Sequence, residues 1–197
     1  MKRSRETNAL IAIGIVGLII LFGAPSTLDL FSVISLTTAV SLAILALSLG
    51  LIWGFGGILC FGQTAFFGIG GYAYAIAALN FGGSTGAIVA ALLIAAAAAA
   101  VLGYFMFYGR LSDVYLAVIT LTVTLILYSV IRRTSGPEYK IGIAKLGGFN
   151  GINVPPINYP WDATQFLYPE HVFYVAMVAL LLAYFLCVWL TKSHFGR

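Results

Sequence analysis

Long apolar stretches that contain no charged residue dominate this chain. Six of them are long enough, or nearly so, to cross the apolar core of a bilayer, which takes about 20 residues of helix. They comprise residues 8–24, 30–53, 58–81, 85–108, 114–131 and 171–190. Each is apolar on all sides, as in helices surrounded by lipid or by other helices. The pattern predicts an all-α integral membrane protein with about six transmembrane helices.

The composition supports this class and excludes others. Of the 197 residues, 61% are hydrophobic and 8% are charged, and the mean hydropathy is +1.04. A soluble domain carries about 25% charged residues, so this chain could not cover a soluble surface. A soluble enzyme, a disordered tail and a nucleic-acid-binding domain are excluded. We expect membrane lipid, and no nucleic acid, as surroundings of a multi-pass protein.

All basic residues lie in the tails or in the connections between the stretches, and their distribution indicates orientation. Six spans with an inner N-terminus place six Lys and Arg residues inside and four outside, and the cluster Lys2, Arg3 and Arg5 leads the chain. We therefore expect both termini inside. The first stretch also resembles a secretory signal, but five further apolar stretches and a proline at the cleavage position favour an uncleaved helix.

The connection 132–170 is the one long connection, and this topology makes it an extracytoplasmic loop. It contains five of the six prolines and the run Gly147-Gly148-Phe149-Asn150-Gly151. Loops of this length are more often functional or mobile than inert. A plain connector is the alternative.

Catalysis has no support in the sequence. The two histidines, His171 and His194, lie at opposite ends of the last stretch, so they cannot form a metal site together. The sequence has no nucleophile elbow, no phosphate-binding lysine loop and no zinc-ligand spacing. We predict no enzyme, no metal and no cofactor. The lack of charges within the spans also argues against proton- or voltage-coupled carriers, whereas a channel stays open as an alternative.

Residues 53–72 form a glycine-rich segment at membrane depth, with the polar Gln63 and Thr64 inside it. Glycine permits close helix packing and also marks broken transmembrane helices. One interpretation is a broken helix beside a translocation path that Gln63 and Thr64 line. The other is tight packing, with Gln63 bonded to a neighbouring helix. Likewise, Thr120 and Thr124 share one helix face and either line the path or bond back to carbonyls of their own helix.

Four segments carry a resemblance to a known family. Residues 59–72, LCFGQTAFFGIGGY, resemble the signature of the LivM-type permease of bacterial branched-chain amino acid ABC transporters, roughly L-S-x-G-[QH]-A-A-F-F-G-I-G-A-Y. Residues 115–121, YLAVITL, continue it. Residues 146–152, LGGFNGI, are similar to T-G-G-x-N-G-L in an outer loop of the family. Residues 193–197, SHFGR, are similar to the S-P-F-G-R that opens the cytoplasmic loop contacting the ATPase.

The resemblance and the polar pattern together give three groups of candidate site residues. The first group is expected to line the translocation path: Gly62, Gln63, Thr64, Phe66, Phe67, Gly68, Gly70, Tyr72, Thr120 and Thr124. The second, in the outer loop, is expected to face a binding protein: Gly148, Asn150 and Gly151. The third is expected to couple to the ATPase: Phe195, Gly196 and Arg197. Cys60 and Thr64 depart from the usual Ser and Ala by small replacements.

The resemblance also implies an assembly. It would contain a second permease subunit, two cytoplasmic ATPase subunits that bind the ATP, and a periplasmic substrate-binding protein, in a bacterial inner membrane. Members of the family continue past the F-G-R segment, so residues 1–197 are expected to be a single permease domain that is incomplete at its C-terminus. The alternatives are a permease for urea or short amides, a self-sufficient channel or facilitator, and a truncated remnant that does not transport.

Overall fold

The computed structural model describes residues 2–109 and 112–193, with side chains from residue 13 onward except that of Ala163. This part of the chain contains six α-helices, which confirms the prediction of an all-α membrane protein. They are α1 Lys2–Thr27, α2 Leu30–Gly56, α3 Gln63–Phe81, α4 Ser84–Tyr108, α5 Asp113–Arg132 and α6 Pro169–Lys192. Helices α2 to α6 are each long and apolar enough to span a membrane. The part of α1 whose side chains are described, Ile13–Thr27, is shorter.

Local chemistry explains several helix ends. The Asp29 carboxylate caps the start of α2 by accepting the backbone N–H of Ser32 at 3.4 Å, and it also accepts the Ser32 hydroxyl at 2.7 Å. These two bonds from Ser32 hold the pKa of the Asp29 carboxyl below its ordinary value. Helix α3 ends at Gly82, whose φ of 73° is left-handed and which donates to the carbonyl of Ala78. Pro169 opens α6, where a missing N–H costs nothing.

The chain divides into two compact units, the first of which contains α1, α6 and most of α2. Its core is a cluster of five buried apolar side chains from these three helices: Leu21, Val33, Val40, Phe173 and Met177. Helices α1 and α6 approach closely because Gly17 has no side chain. A Cβ there would lie 2.9 Å from a methyl group of Leu181.

The second unit, Ser48–Leu167, contains α3, α4, α5 and the long loop. Helices α3 and α4 form an antiparallel hairpin with small residues at the contact. Ala77, Ala78 and Ala87 are buried together in it, and a Cβ on Gly70 would lie 3.8 Å from that of Ala95. Small side chains let helix backbones approach closely in membranes.

A non-helical segment, residues 57–62, separates α2 from α3. The glycine-rich segment is therefore interrupted, at boundaries that differ from the predicted stretches, and the helices on both sides are each long enough to span a membrane. Helix α2 continues past residue 53 to Gly56, and α3 begins at Gln63 rather than at residue 58. Gly57 has a φ of 68°, which ends the helix in a conformation that favours glycine. Hydropathy alone does not detect such a break, because the residues on both sides are apolar.

The long loop contains two short antiparallel hairpins, which the sequence analysis did not predict. Strand β1, Lys140–Ile141, pairs with β2, Ala144–Lys145. Strand β3, Asn158–Tyr159, pairs with β4, Asp162–Phe166. A 3₁₀ turn, Gly148–Asn150, lies between the two hairpins. The loop thus has defined secondary structure of its own.

Hydrogen bonds attach this loop to α3 and α4. The side chain of Asn80 donates to the carbonyl of Ile141 and accepts the N–H of Ile143, both at 3.0 Å, so it holds the turn between β1 and β2. The buried Ser84 hydroxyl accepts the N–H of Asn158 at 2.9 Å and donates to the Asn158 amide oxygen. Tyr74 also contacts Ser84, at 3.1 Å. Pairing of this kind is required where polar groups are buried.

Candidate translocation cavity

Two threonines of α5 bind the backbone of the non-helical segment. The Thr120 hydroxyl accepts the N–H of Phe61 at 3.1 Å, and the Thr124 hydroxyl donates to the carbonyl of Phe61 at 3.3 Å. Both threonines lie near the middle of α5, where no bulk water is expected in a membrane. Non-helical backbone at such depth must find partners inside the protein, and these two hydroxyls supply them.

The same threonines also bond to their own helix. Thr120 donates to the carbonyl of Leu116 at 2.9 Å, and Thr124 donates to that of Thr120 at 2.8 Å. This is the back-bonding alternative of the sequence analysis, and it coexists with the bonds to Phe61. The Thr120 side chain is only 1% exposed.

Gly62, the last residue of the non-helical segment, fits tightly against this contact, and Gln63, the first residue of α3, bonds to α2. A Cβ on Gly62 would lie 3.3 Å from the Cβ of Thr120 and 3.5 Å from the Cys60 sulfur, so the absent side chain permits the close approach. The Gln63 amide oxygen accepts the Ser48 hydroxyl at 3.2 Å. That bond agrees with the interpretation of Gln63 as a residue bonded to a neighbouring helix.

A cavity of about 510 Å³ lies between α3, α5 and the 3₁₀ turn of the loop. Its size falls in the range of small-molecule sites. Helix α3 contributes Thr64, Ala65, Gly68, Ile69 and Tyr72. Helix α5 contributes Thr124, Leu125, Leu127, Tyr128, Ile131 and Arg132. The turn contributes Gly148, Phe149, Asn150 and Gly151.

The lining is mainly apolar, with polar groups at intervals. The polar and charged members of the lining are two threonines, two tyrosines, Asn150 and Arg132. Arg132 is the charged residue of this lining, and no carboxylate is part of it. The cavity can therefore hold a small solute with an apolar portion and hydrogen-bonding groups.

Glycines shape the part of the loop that borders the cavity. Gly147, Gly148 and Gly151 have φ values of 75°, 55° and 75°, a region that residues with a Cβ rarely adopt. A Cβ on Gly148 would clash with the backbone and hydroxyl of Ser135. Phe149 projects from this turn, and the Arg132 guanidinium lies over its ring, 5.2 Å from the centroid.

The structure unites two groups that the sequence analysis kept separate. Four predicted path residues and all three predicted loop residues line the one cavity: Thr64, Gly68, Tyr72, Thr124, Gly148, Asn150 and Gly151. Six predicted path residues do not line it: Gly62, Gln63, Phe66, Phe67, Gly70 and Thr120. Their assignment to the path stays a prediction. The predicted coupling residues Phe195, Gly196 and Arg197 lie outside the described residues.

Sequence reasoning missed Tyr128, Arg132 and Phe149. A signal for the first two was present, because Thr124, Tyr128 and Arg132 are spaced four apart and share a helix face. The predicted residues Thr64, Gly68 and Tyr72 of α3 have the same spacing. Extending the helix face of Thr120 and Thr124 by two turns would have added Tyr128 and Arg132 to the predicted path residues. Phe149 had no comparable signal, since only the fold brings the loop to this face.

Comparison with known proteins gives one match. The model of the family described as branched-chain amino acid transport system / permease component matches residues 31–197. No curated protein and no solved structure shows significant similarity to the chain. The matched range includes the non-helical segment, both helices that line the cavity and the whole loop.

Proposed function

Because the chain belongs to the family of branched-chain amino acid transport permeases, we propose that it is a membrane-spanning subunit of an ATP-binding-cassette importer. In this proposal it works in a bacterial inner membrane with a second permease subunit, two ATPase subunits that bind ATP, and a periplasmic binding protein. The cavity between α3, α5 and the loop is its contribution to the path of branched-chain amino acids.

The observation that carries the proposal is the composition of the cavity wall. Residues of the glycine-rich segment and residues of the loop meet there, although about 80 positions separate Gly68 from Gly148 in the chain. A path from outside to the membrane interior needs such a connection between an outer loop and groups at membrane depth. The wall also combines apolar surface with hydroxyls, which suits a small amphiphilic solute.

The loop would form the outer entrance. Its hairpins are fixed to α3 and α4 by Asn80 and Ser84, which would give a binding protein a defined surface at the cavity mouth. Exposed aromatic side chains, among them Phe149 at 70% and Trp161 at 82%, offer contact area. Aromatic residues are enriched in the centres of protein interfaces.

Filling the cavity tests the proposal. A Cβ on Gly68 meets nothing within 4 Å, so Gly68→Phe would place its ring in the cavity without disturbing packing. Gly71→Phe is the matched control, because Gly71 lies on the same helix, has equal room and does not line the cavity. The measurement is ATP-dependent uptake of labelled leucine by the importer reconstituted in proteoliposomes with its binding protein.

We expect Gly68→Phe to lower uptake at least about tenfold and Gly71→Phe to leave it within about twofold, with both complexes assembling normally. Equal uptake by the two variants would show that the cavity is not the path. Leucine flux that needs no ATP would favour a self-sufficient channel. Transport of urea but not of leucine would favour the urea and amide class.

A further inference from the structure

We propose that Arg132 is the residue of this cavity that binds the carboxylate of the solute. This inference rests on the proposed function, since it concerns the same cavity, and it adds a recognition residue. It also separates two classes that the sequence left open. Amino acids carry a carboxylate, whereas urea and short amides are neutral.

The position of Arg132 supports a role in binding. It lies in the last turn of α5 and is one of the lining residues, and its guanidinium lies over the ring of Phe149, another lining residue. In the part of the chain that the structure describes, no carboxylate pairs with it. Its contact with the Phe149 ring fixes the guanidinium at the cavity wall but uses no hydrogen-bond donor. The N–H groups can therefore bind a carboxylate in a bidentate manner.

The electrostatics of the lining favour an anionic group. Arg132 is its charged residue, so an anion entering the cavity is attracted and a cation is repelled. Apolar walls strengthen the interaction because they lower the local dielectric constant. The remaining polar groups, such as the Asn150 amide and the threonine hydroxyls, can accept hydrogen bonds from the ammonium of an amino acid.

The rest of the cavity suits an alkyl side chain. Ile69, Leu125 and Leu127 supply aliphatic wall below the mouth. A carboxylate held at Arg132 would direct the alkyl chain towards this surface, and burial of each CH₂ group stabilises the complex by about 0.8 kcal/mol. A neutral amide could occupy the same volume but would leave the guanidinium without its anion.

The experiment measures binding to the cavity independently of transport. Gly68→Cys, in a background with Cys60→Ser and Cys187→Ser, places one thiol in the lining, where a Cβ has room. The rate of labelling by a maleimide is then followed in the membrane complex of permease and ATPase subunits without the binding protein. The probes are 4-methylpentanoate and 4-methylpentanamide, which differ only in the carboxylate, together with L-leucine and urea.

We expect 4-methylpentanoate and leucine to slow labelling at concentrations at least about tenfold below those needed for 4-methylpentanamide, and urea not to slow it. Arg132→Gln should reduce the preference for the acid over the amide to within about twofold. Arg132→Lys should retain part of it, because a lysine keeps the charge without the planar donor pair. Arg133→Gln is the matched control, since Arg133 is the next residue and does not line the cavity.

Three results would overturn the inference: equal protection by the acid and the amide, no protection by either, or an acid preference that persists in Arg132→Gln. The first two are read with Arg132 intact, so they hold even if Arg132→Gln fails to assemble. Failure of the proposed function is distinguishable. In that case ATP-driven leucine uptake is absent, whatever the protection experiment shows; if uptake is present and protection is independent of Arg132, only this inference fails.

Discussion

Helix α3 has two contrasting sides, and two of its glycines show the difference. A Cβ on Gly70 would lie 3.8 Å from that of Ala95 on α4, whereas a Cβ on Gly68 would meet nothing within 4 Å. On the α4 side, the missing side chain lets two helices touch. On the α5 side, it leaves room in a cavity of about 510 Å³.

The facing residues explain this contrast. Helix α4 presents alanines to α3, so small residues meet small residues, as at Ala77, Ala78 and Ala87. Helix α5 presents Thr124 and Tyr128 to the cavity, and its contact with the start of α3 runs through the backbone of Phe61. A glycine therefore has no fixed meaning in a membrane helix. Its effect depends on the residues that the fold places opposite.

The largest expected effect comes from placing the same large side chain on each side of α3. Ala87→Phe should destabilise the protein by about 3 kcal/mol, because Ala87 is 1% exposed and the alanine contact has no space for a ring. Gly68→Phe should change stability by less than about 1 kcal/mol. Unfolding in mixed micelles with increasing SDS measures both. Equal losses would mean that the α5 side is as closely packed as the α4 side.

An intermediate effect is expected at the contact between α5 and the non-helical segment. Thr120→Val keeps the shape of the side chain but removes the acceptor for the Phe61 N–H, and should cost about 1 kcal/mol. Thr122→Val is the matched control, because the exposed Thr122 hydroxyl bonds to the carbonyl of Val118 on its own helix. The same unfolding assay compares the two variants. Indistinguishable stabilities would show that Thr120 does not hold the segment in place.

The smallest expected effect on stability concerns the hairpin of β3 and β4, which is bonded to α4 through Ser84. The hydroxyl and the N–H of Thr164 donate to the Asp162 carboxylate at 2.6 and 2.9 Å, and they lower the pKa of that carboxyl below its ordinary value of 3.8. The folded hairpin thus favours the ionised form. The two hydrogen bonds therefore stabilise the folded protein fully at pH values above the pKa that the Asp162 carboxyl has in the unfolded chain. This stabilisation is lost as the pH falls through the lower pKa of the same carboxyl in the folded protein.

We expect the amide proton shift of Thr164, followed by NMR, to titrate with a midpoint below 3.8. Asp162→Asn should remove that titration and leave the hairpin insensitive to pH in this range. A midpoint at or above 3.8 would contradict the hydrogen bonds described for this carboxylate.

The prediction of the helices from the sequence was largely correct. Stretches 30–53, 85–108 and 114–131 correspond to α2, α4 and α5 within three residues at each end. The predicted start of the third stretch at residue 58 was wrong, because residues 57–62 are as apolar as their neighbours and only the φ of Gly57 and the bonds to Phe61 reveal the break. The hairpins of the loop escaped prediction because three of their four strands are only two residues long.

The candidate site was predicted in pieces. Thr64, Gly68 and Tyr72 were expected at the path and Asn150 and Gly151 at a separate outer surface, yet all five line one cavity. Thr120 was expected to line the path together with Thr124, but its side chain is buried against the non-helical segment before α3. Arg132 was read only as a charge that reports orientation.

The sequence by itself determined which segments are membrane helices and to which family the chain belongs. These properties follow from local chemistry: the length of apolar runs, the position of charges, and a glycine-rich motif. Only the tertiary structure decided which side of α3 is closed and which encloses a cavity, and that Arg132 and Phe149 lie together at its mouth. Helices that are apolar all round carry no periodic signal for the face that turns inward. That choice depends on residues about 60 to 80 positions apart in the chain: Thr124 bonds to the backbone of Phe61, and Gly148 lines the same cavity as Gly68.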